Sequence, residues 1–243
     1  LASFEPFPVT AISYALRDRL LEMQVPLGHA RVIYQGIPLE RFPFRPLARA
    51  EAEPLRILYV GQLSRTKGVQ TLLRALHGVE LSQHCQLTVV GAGVPDYQQE
   101  LVQLAQGLPQ VHFAGRLPHQ AVREAYQQHH VLVFPSEWEE PFGLTHLEAM
   151  ASGCAVCSTT TGGSRELIRD GHNALAFEAG NAEQLGQRLL ELKRDEGLRQ
   201  GLAAAGHRAA STGGAATLAA PRPGRGGAPP PPPGPPPPAP GPA

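Results

Sequence analysis

The spacing of apolar residues changes character twice along this chain. In residues 11–24 they recur every three or four positions, which predicts an amphipathic helix stopped by Pro26. Arg31–Tyr34 then reads as a short strand and Gly36-Ile37-Pro38 as a turn. Residues 38–54 hold four prolines and little periodicity, the pattern of a linker or hinge. From Leu55 onward, short apolar runs alternate with longer helical patterns. The runs are Leu55–Val60, Gln86–Val90, Val111–Ala114, Val131–Phe134, Ala155–Ser158 and Asn173–Phe177. Between them the pattern predicts helices over 68–79, from a cap at Asp96 to 106, over 118–128, over 143–153 and, briefly, over 165–168. Asn181 caps a helix over 184–194, and a last helix covers 196–205.

Strands that alternate with helices form βαβ units, and near-continuous Val, Ile and Leu runs suit strands buried on both faces. The expected fold is α/β: a Rossmann-like, doubly wound, mostly parallel sheet of about six strands. Composition adds three limits. Lys plus Arg equal Asp plus Glu at 21 each, so the chain carries no net charge to hold nucleic acid or a membrane surface. No apolar run nears the roughly 20 residues of a membrane span. The three cysteines, Cys85, Cys154 and Cys157, suit a reducing, cytoplasmic setting. The Cys154/Cys157 pair follows a helix and leads into a strand, so it reads as core rather than as redox or zinc chemistry.

Residues 211–243 are dominated by Gly, Ala and Pro and read as a disordered or polyproline II tail. The chain begins at Leu1 in mid-pattern and reads as a fragment. Three regions follow: 1–54 as the remnant of an N-terminal domain plus linker, 55–210 as a ligand-binding domain, and 211–243 as the tail.

Ligands in an open α/β sheet bind beyond the carboxyl ends of the strands, so three loops matter. Gly61–Gly68 puts Arg65 and Lys67 directly before a helix, where a polyphosphate would find fixed cations and a helix dipole. The Gly91-Ala92-Gly93 loop lacks the third glycine of a dinucleotide fingerprint, having Asp96 there. The third loop joins the strand ending at Phe134 to the helix beginning near Gly143, with Glu140 and Glu148 on either side of the turn. Carboxylates beside an anion seat accept hydrogen bonds from sugar hydroxyls; equally, each can be a solvated surface residue. Trp138 lines a sugar site or anchors its own loop. His129 and His130 read as helix-terminal cations. No nucleophile elbow and no ligand spacing for a metal is present.

The segment from Glu140 to Gly153 resembles the E-x7-E motif of retaining glycosyltransferases of the GT-B fold, family 4, whose members share a "glycosyltransferase group 1" domain. The resemblance extends along 11–207, through Val32–Phe42, Tyr59–Gly68, Thr161–Glu166 and Asp170–Phe177. It implies the C-terminal half of a GT-B fold, binding a nucleotide-diphosphate sugar as substrate with no separate cofactor and no metal. By the same resemblance Glu148 accepts ribose hydroxyls and Glu140 lies beside the donor sugar. The Phe142, Gly143, Leu144 and Thr145 backbone meets sugar and phosphate. Lys67 and Arg65 neutralise the pyrophosphate beside Gly61, and Arg116 and Leu117 fall where the family holds the base. Gln62 stands where the family usually has arginine. The acceptor-binding half and its catalytic histidine do not appear in this sequence, and the acceptor is not specified. Any peripheral membrane contact would run through that half. Three readings follow: the donor half of an enzyme, a nucleotide-sugar-binding module, or a scaffold whose proline tail does the binding.

Overall fold

The computed structural model describes residues 9–27 and 30–212. The expected tail lies almost wholly outside the described residues. A small unit comes first: β1 (Thr10–Ala11), α1 (Tyr14–Glu22) and β2 (Arg31–Val32), with the two strands paired in parallel. The strand expected to reach Tyr34 stops at Val32. The Pro-rich segment up to residue 54 has one 3-10 turn, Leu39–Arg41, but is tied to the body of the molecule. Phe42 is buried, and the Arg45 N–H donates to Ser152 O at 3.0 Å.

The main sheet contains β3 (Leu55–Val60), β4 (Cys85–Val90), β5 (Val111–Gly115), β6 (Val131–Phe134), β7 (Ala155–Ser158) and β8 (Leu175–Ala176). Their order is β5-β4-β3-β6-β7-β8, and every pairing is parallel. The sheet is therefore the expected doubly wound, parallel one. Helices α2 (Val69–Leu76), α3 (Val79–His84), α4 (Pro95–Leu104), α5 (His119–Gln128), α6 (Leu144–Ser152), α7 (Ala182–Arg194) and α8 (Glu196–Ser211) cover it. Strand side chains alternate between two cores. Leu55, Ile57, Tyr59, Val131 and Val133 join Leu72, Leu101 and Leu189 on one face. Leu58, Leu132 and Val156 join Tyr126, Leu147 and Met150 on the other. Burial on both faces is why these strands read as unbroken apolar runs.

Local expectations needed four further corrections. Asp96 is not a cap: Val94 holds that position and Pro95 opens α4, so Asp96 sits in the first turn, where its charge suits the helix dipole. The helix expected over 68–79 is α2, which stops at Leu76, and an unexpected short helix, α3, begins at Val79. The short helix expected at 165–168 is a 3-10 turn, Gly162–Glu166. His129 and His130 are not cations. Burial lowers both, His130 to about 3, with Arg199, Arg56 and Arg49 adding repulsion at His130. The expected cap at Asn181 is present, its side chain accepting from Gln184 N at 2.9 Å.

The order of strands locates the site. The chain winds outward from β3 through β4 to β5, then returns to lay β6 against the other side of β3. A crevice opens beyond the carboxyl ends of β3 and β6, at this reversal.

Candidate functional site

The two loops that leave β3 and β6 meet in that crevice. Gly68 makes their approach close. It has φ 73°, and a Cβ there would lie 1.8 Å from Pro135 O. The Glu137 N–H donates to Thr66 O at 2.8 Å, fastening the loops together. Lys67 is thereby aimed at Glu140, with Nζ 2.6 Å from Oε1. Ser136 Oγ donates to the same oxygen at 2.5 Å. The Glu140 side chain is 7% exposed and that of Lys67 26%, so the pair is shielded but reachable from the crevice.

Gly143 has φ 100° and precedes α6. A Cβ at Gly143 would lie 2.3 Å from His146 Nδ1, so glycine is required by conformation and by space. His146 is buried beneath the turn, and burial lowers it to about 4. Its Nδ1 lies 3.2 Å from Gly143 O and its Nε2 2.7 Å from Ser158 Oγ. The free N–H groups of the first turn of α6 open beside Leu144 and Thr145, a seat for negative charge.

A cavity of about 440 Å³ fills the crevice. It is lined by Gly61, Gln62, Lys67, Glu140, Phe142, Gly143, Leu144 and Thr145, and from the N-terminal unit by Ile12 and Gln35. Its volume falls within the range of small-molecule sites, about 300–1,000 Å³. Seven of the candidate residues read from the sequence therefore share one cavity. Five stand apart from its lining. Glu148 lies one turn into α6, where Tyr126 OH donates to its Oε2 at 2.9 Å. Burial raises its carboxyl, while the Tyr126 hydrogen bond and the charges of His119 and Arg123 pull it back. Arg65, 71% exposed, is paired with Glu100 at 2.5 Å and lies over the Tyr97 ring. Arg116 is exposed, and Leu117 packs against the core on its face of the sheet. Trp138 is 56% exposed and does not line the cavity.

Sequence reasoning passed over Ile12, Gln35, Tyr59 and Ser136, which also line the cavity. Ser136 and Tyr59 had one legible signal, their places near the carboxyl ends of the β6 and β3 runs; Ile12 and Gln35 are brought in by long-range packing. Among the described residues, no cluster of three or more His, Cys, Asp and Glu side chains is placed to hold a metal ion. No helix among them is long and apolar enough to cross a membrane.

Residues 44–209 match the family described as Glycosyl transferases group 1. An uncharacterized glycosyltransferase of Methanocaldococcus jannaschii is 27% identical over 212 residues, covering 82% of this chain and 54% of the relative. The chain thus spans about half the length of that relative. The solved C-terminal domain of a glycosyl transferase group 1 family protein (LpcC) from Francisella tularensis is 28% identical with TM-score 0.65. The likeness covers 73% of this chain and 97% of that domain. Anabaena HepE in complex with UDP and glucose has TM-score 0.74 at 22% identity, over 84% of this chain and 58% of that one.

Proposed function

Because the chain belongs to the group 1 glycosyltransferases, we propose that it carries the donor side of a glycosyl transfer, holding a nucleotide-diphosphate sugar in the 440 Å³ cavity. The observation that carries this reading is the shielded Lys67–Glu140 pair, 2.6 Å apart beside the N-terminus of α6. A departing nucleotide diphosphate gains negative charge. A fixed ammonium and free helix N–H groups meet that charge without reorganising. Glu140 holds Lys67 in place and offers its carboxylate to the donor sugar. Backbone groups of Phe142–Thr145 contact sugar and phosphate. Glu148 takes the ribose hydroxyls from its position one turn into α6, and the base lies towards Arg116 and Leu117. Arg65 would have to leave Glu100 to reach the diphosphate.

The similarity to a fold crystallised with UDP and glucose supports a nucleotide-sugar donor. The match to a C-terminal domain supports reading residues 55–210 as the donor domain, with 1–54 as the end of an acceptor-binding half plus linker. In the full reaction the acceptor hydroxyl adds on the face that the diphosphate leaves, as in family 4, and anomeric configuration is retained. This reading uses no further cofactor and sets the reaction in the cytoplasm. The test is calorimetry with UDP-, GDP- and ADP-sugars. One of them binds, and Lys67→Ala weakens it at least tenfold. Failure of all three to bind would overturn the donor reading.

A further inference from the structure

Glu166 has no part in the chemistry above, yet its carboxylate is fully engaged with the N-terminal segments. It ends the turn Gly162–Glu166. Oε2 accepts from the Tyr14 N–H at 3.0 Å and from Tyr34 OH at 2.7 Å, and Oε1 accepts from the Ala15 N–H at 2.7 Å. Tyr14 and Ala15 are the first two residues of α1, and Ser13 Oγ accepts from the third at 2.9 Å. The orphan donors of this helix start are thus met from both sides. The turn bearing Glu166 is itself bound to the ligand loop, since the Gly163 N–H donates to Glu140 O at 2.5 Å. On the other side, the Tyr34 ring lies 5.4 Å from that of Phe142, which lines the cavity. The contacts form a closed circuit: ligand loop, turn, Glu166, N-terminal unit, Phe142.

Besides these bonds, Ala11 and Ser13 are buried, and Ile12 and Tyr34 pack against the core. α1 buries none of its residues. Yet Ile12 and Gln35, on either side of the segments that Glu166 grips, stand in the cavity wall. We infer that Glu166 is the positioning residue of this pocket: it docks the β1–α1–β2 unit onto the ligand loop and so sets where Ile12 and Gln35 meet the ligand. The inference rests on the donor reading only for the ligand used to probe it.

Glu166→Gln tests it. The variant keeps the shape, but its amide nitrogen cannot accept, so at least one of three donors faces another donor. Without ligand, the Tyr14 and Ala15 amides are expected to exchange hydrogen about tenfold faster than in wild type, as the bond that protects them opens. UDP-glucose affinity is expected to fall about tenfold, the order of losing one part-buried hydrogen bond to a charged group. Gln35→Ala should weaken binding in wild type and add nothing in Glu166→Gln, a dependence that mere loss of stability would not produce. Tyr34→Phe removes only one donor hydroxyl and should cost a smaller part of the same affinity, should Glu166→Gln not fold. Unchanged amide exchange would overturn the docking, and faster exchange with unchanged affinity would overturn its bearing on the pocket. If wild type binds no UDP-glucose, the donor reading is what fails, and docking is decided by the exchange of Tyr14 and Ala15 alone.

Discussion

Acidification isolates His130, whose behaviour follows from burial at the start of β6. The side chain is fully buried, and its Nδ1 accepts from the Arg56 N–H at 2.9 Å. Its value falls from 6.5 to about 3, first by burial and then by repulsion from Arg199, Arg56 and Arg49. The folded chain therefore holds this ring neutral while the unfolded chain protonates it. A group depressed by folding contributes stability that is present above its unfolded value and lost as pH falls towards its folded one. The window here runs from 6.5 down to about 3. One pH unit of full titration is worth about 1.4 kcal/mol, so lowering the pH from about 7 to about 5 removes about 2 kcal/mol through His130 alone. His146, lowered to about 4 by burial, removes a similar amount over the same interval. In His130→Asn the amide oxygen can still accept from Arg56, but nothing there titrates. Urea unfolding of both proteins at the two pH values measures the difference of differences. The variant is expected to lose about 2 kcal/mol less than wild type between them. Equal losses would refute the claim that the fold keeps His130 neutral.

Three further outcomes follow from the same structure. Glu148→Ala should weaken nucleotide-sugar binding by about 1–3 kcal/mol, the cost of leaving hydroxyl partners unmet, and calorimetry reads this directly. Because burial raises the Glu148 carboxyl above 4.5 and bound hydroxyls favour its ionised form, donor binding should expel a proton and tighten as pH rises out of the acid range. Proton release compared in buffers of different ionisation enthalpy checks the sign. Gly68→Ala forces a Cβ to within 1.8 Å of Pro135 O and into a left-handed conformation. It should destabilise by several kcal/mol, about 2 or more, in chemical denaturation, and lose donor binding as Lys67 shifts.

The parallel, doubly wound sheet was legible in the sequence because its cause is local and repeated. A strand buried on both faces must be apolar throughout, as Val131–Phe134 is, and each helix between must show one apolar stripe. The approximate places of the two ligand loops follow from that alternation, and the Glu140–Glu148 spacing is visible in the chain itself. Helix α3 and the start of α4 were misread because a six-residue helix carries too little period, and Pro95 at the first helical position displaces Asp96 from the cap. What only the tertiary structure decided is which distant groups meet. Lys67 and Glu140 are 73 positions apart, and Glu166 stands 152 positions from Tyr14. Arg65, a cation beside the expected diphosphate loop, turns instead to Glu100 of α4. The neutral state of His130 is likewise set first by tertiary burial and then by Arg199, which arrives from α8. Periodicity reports how a segment meets its own neighbours. Strand order, and with it the reversal that brings β3 beside β6, depends on contacts between segments far apart, which leave no period in the chain.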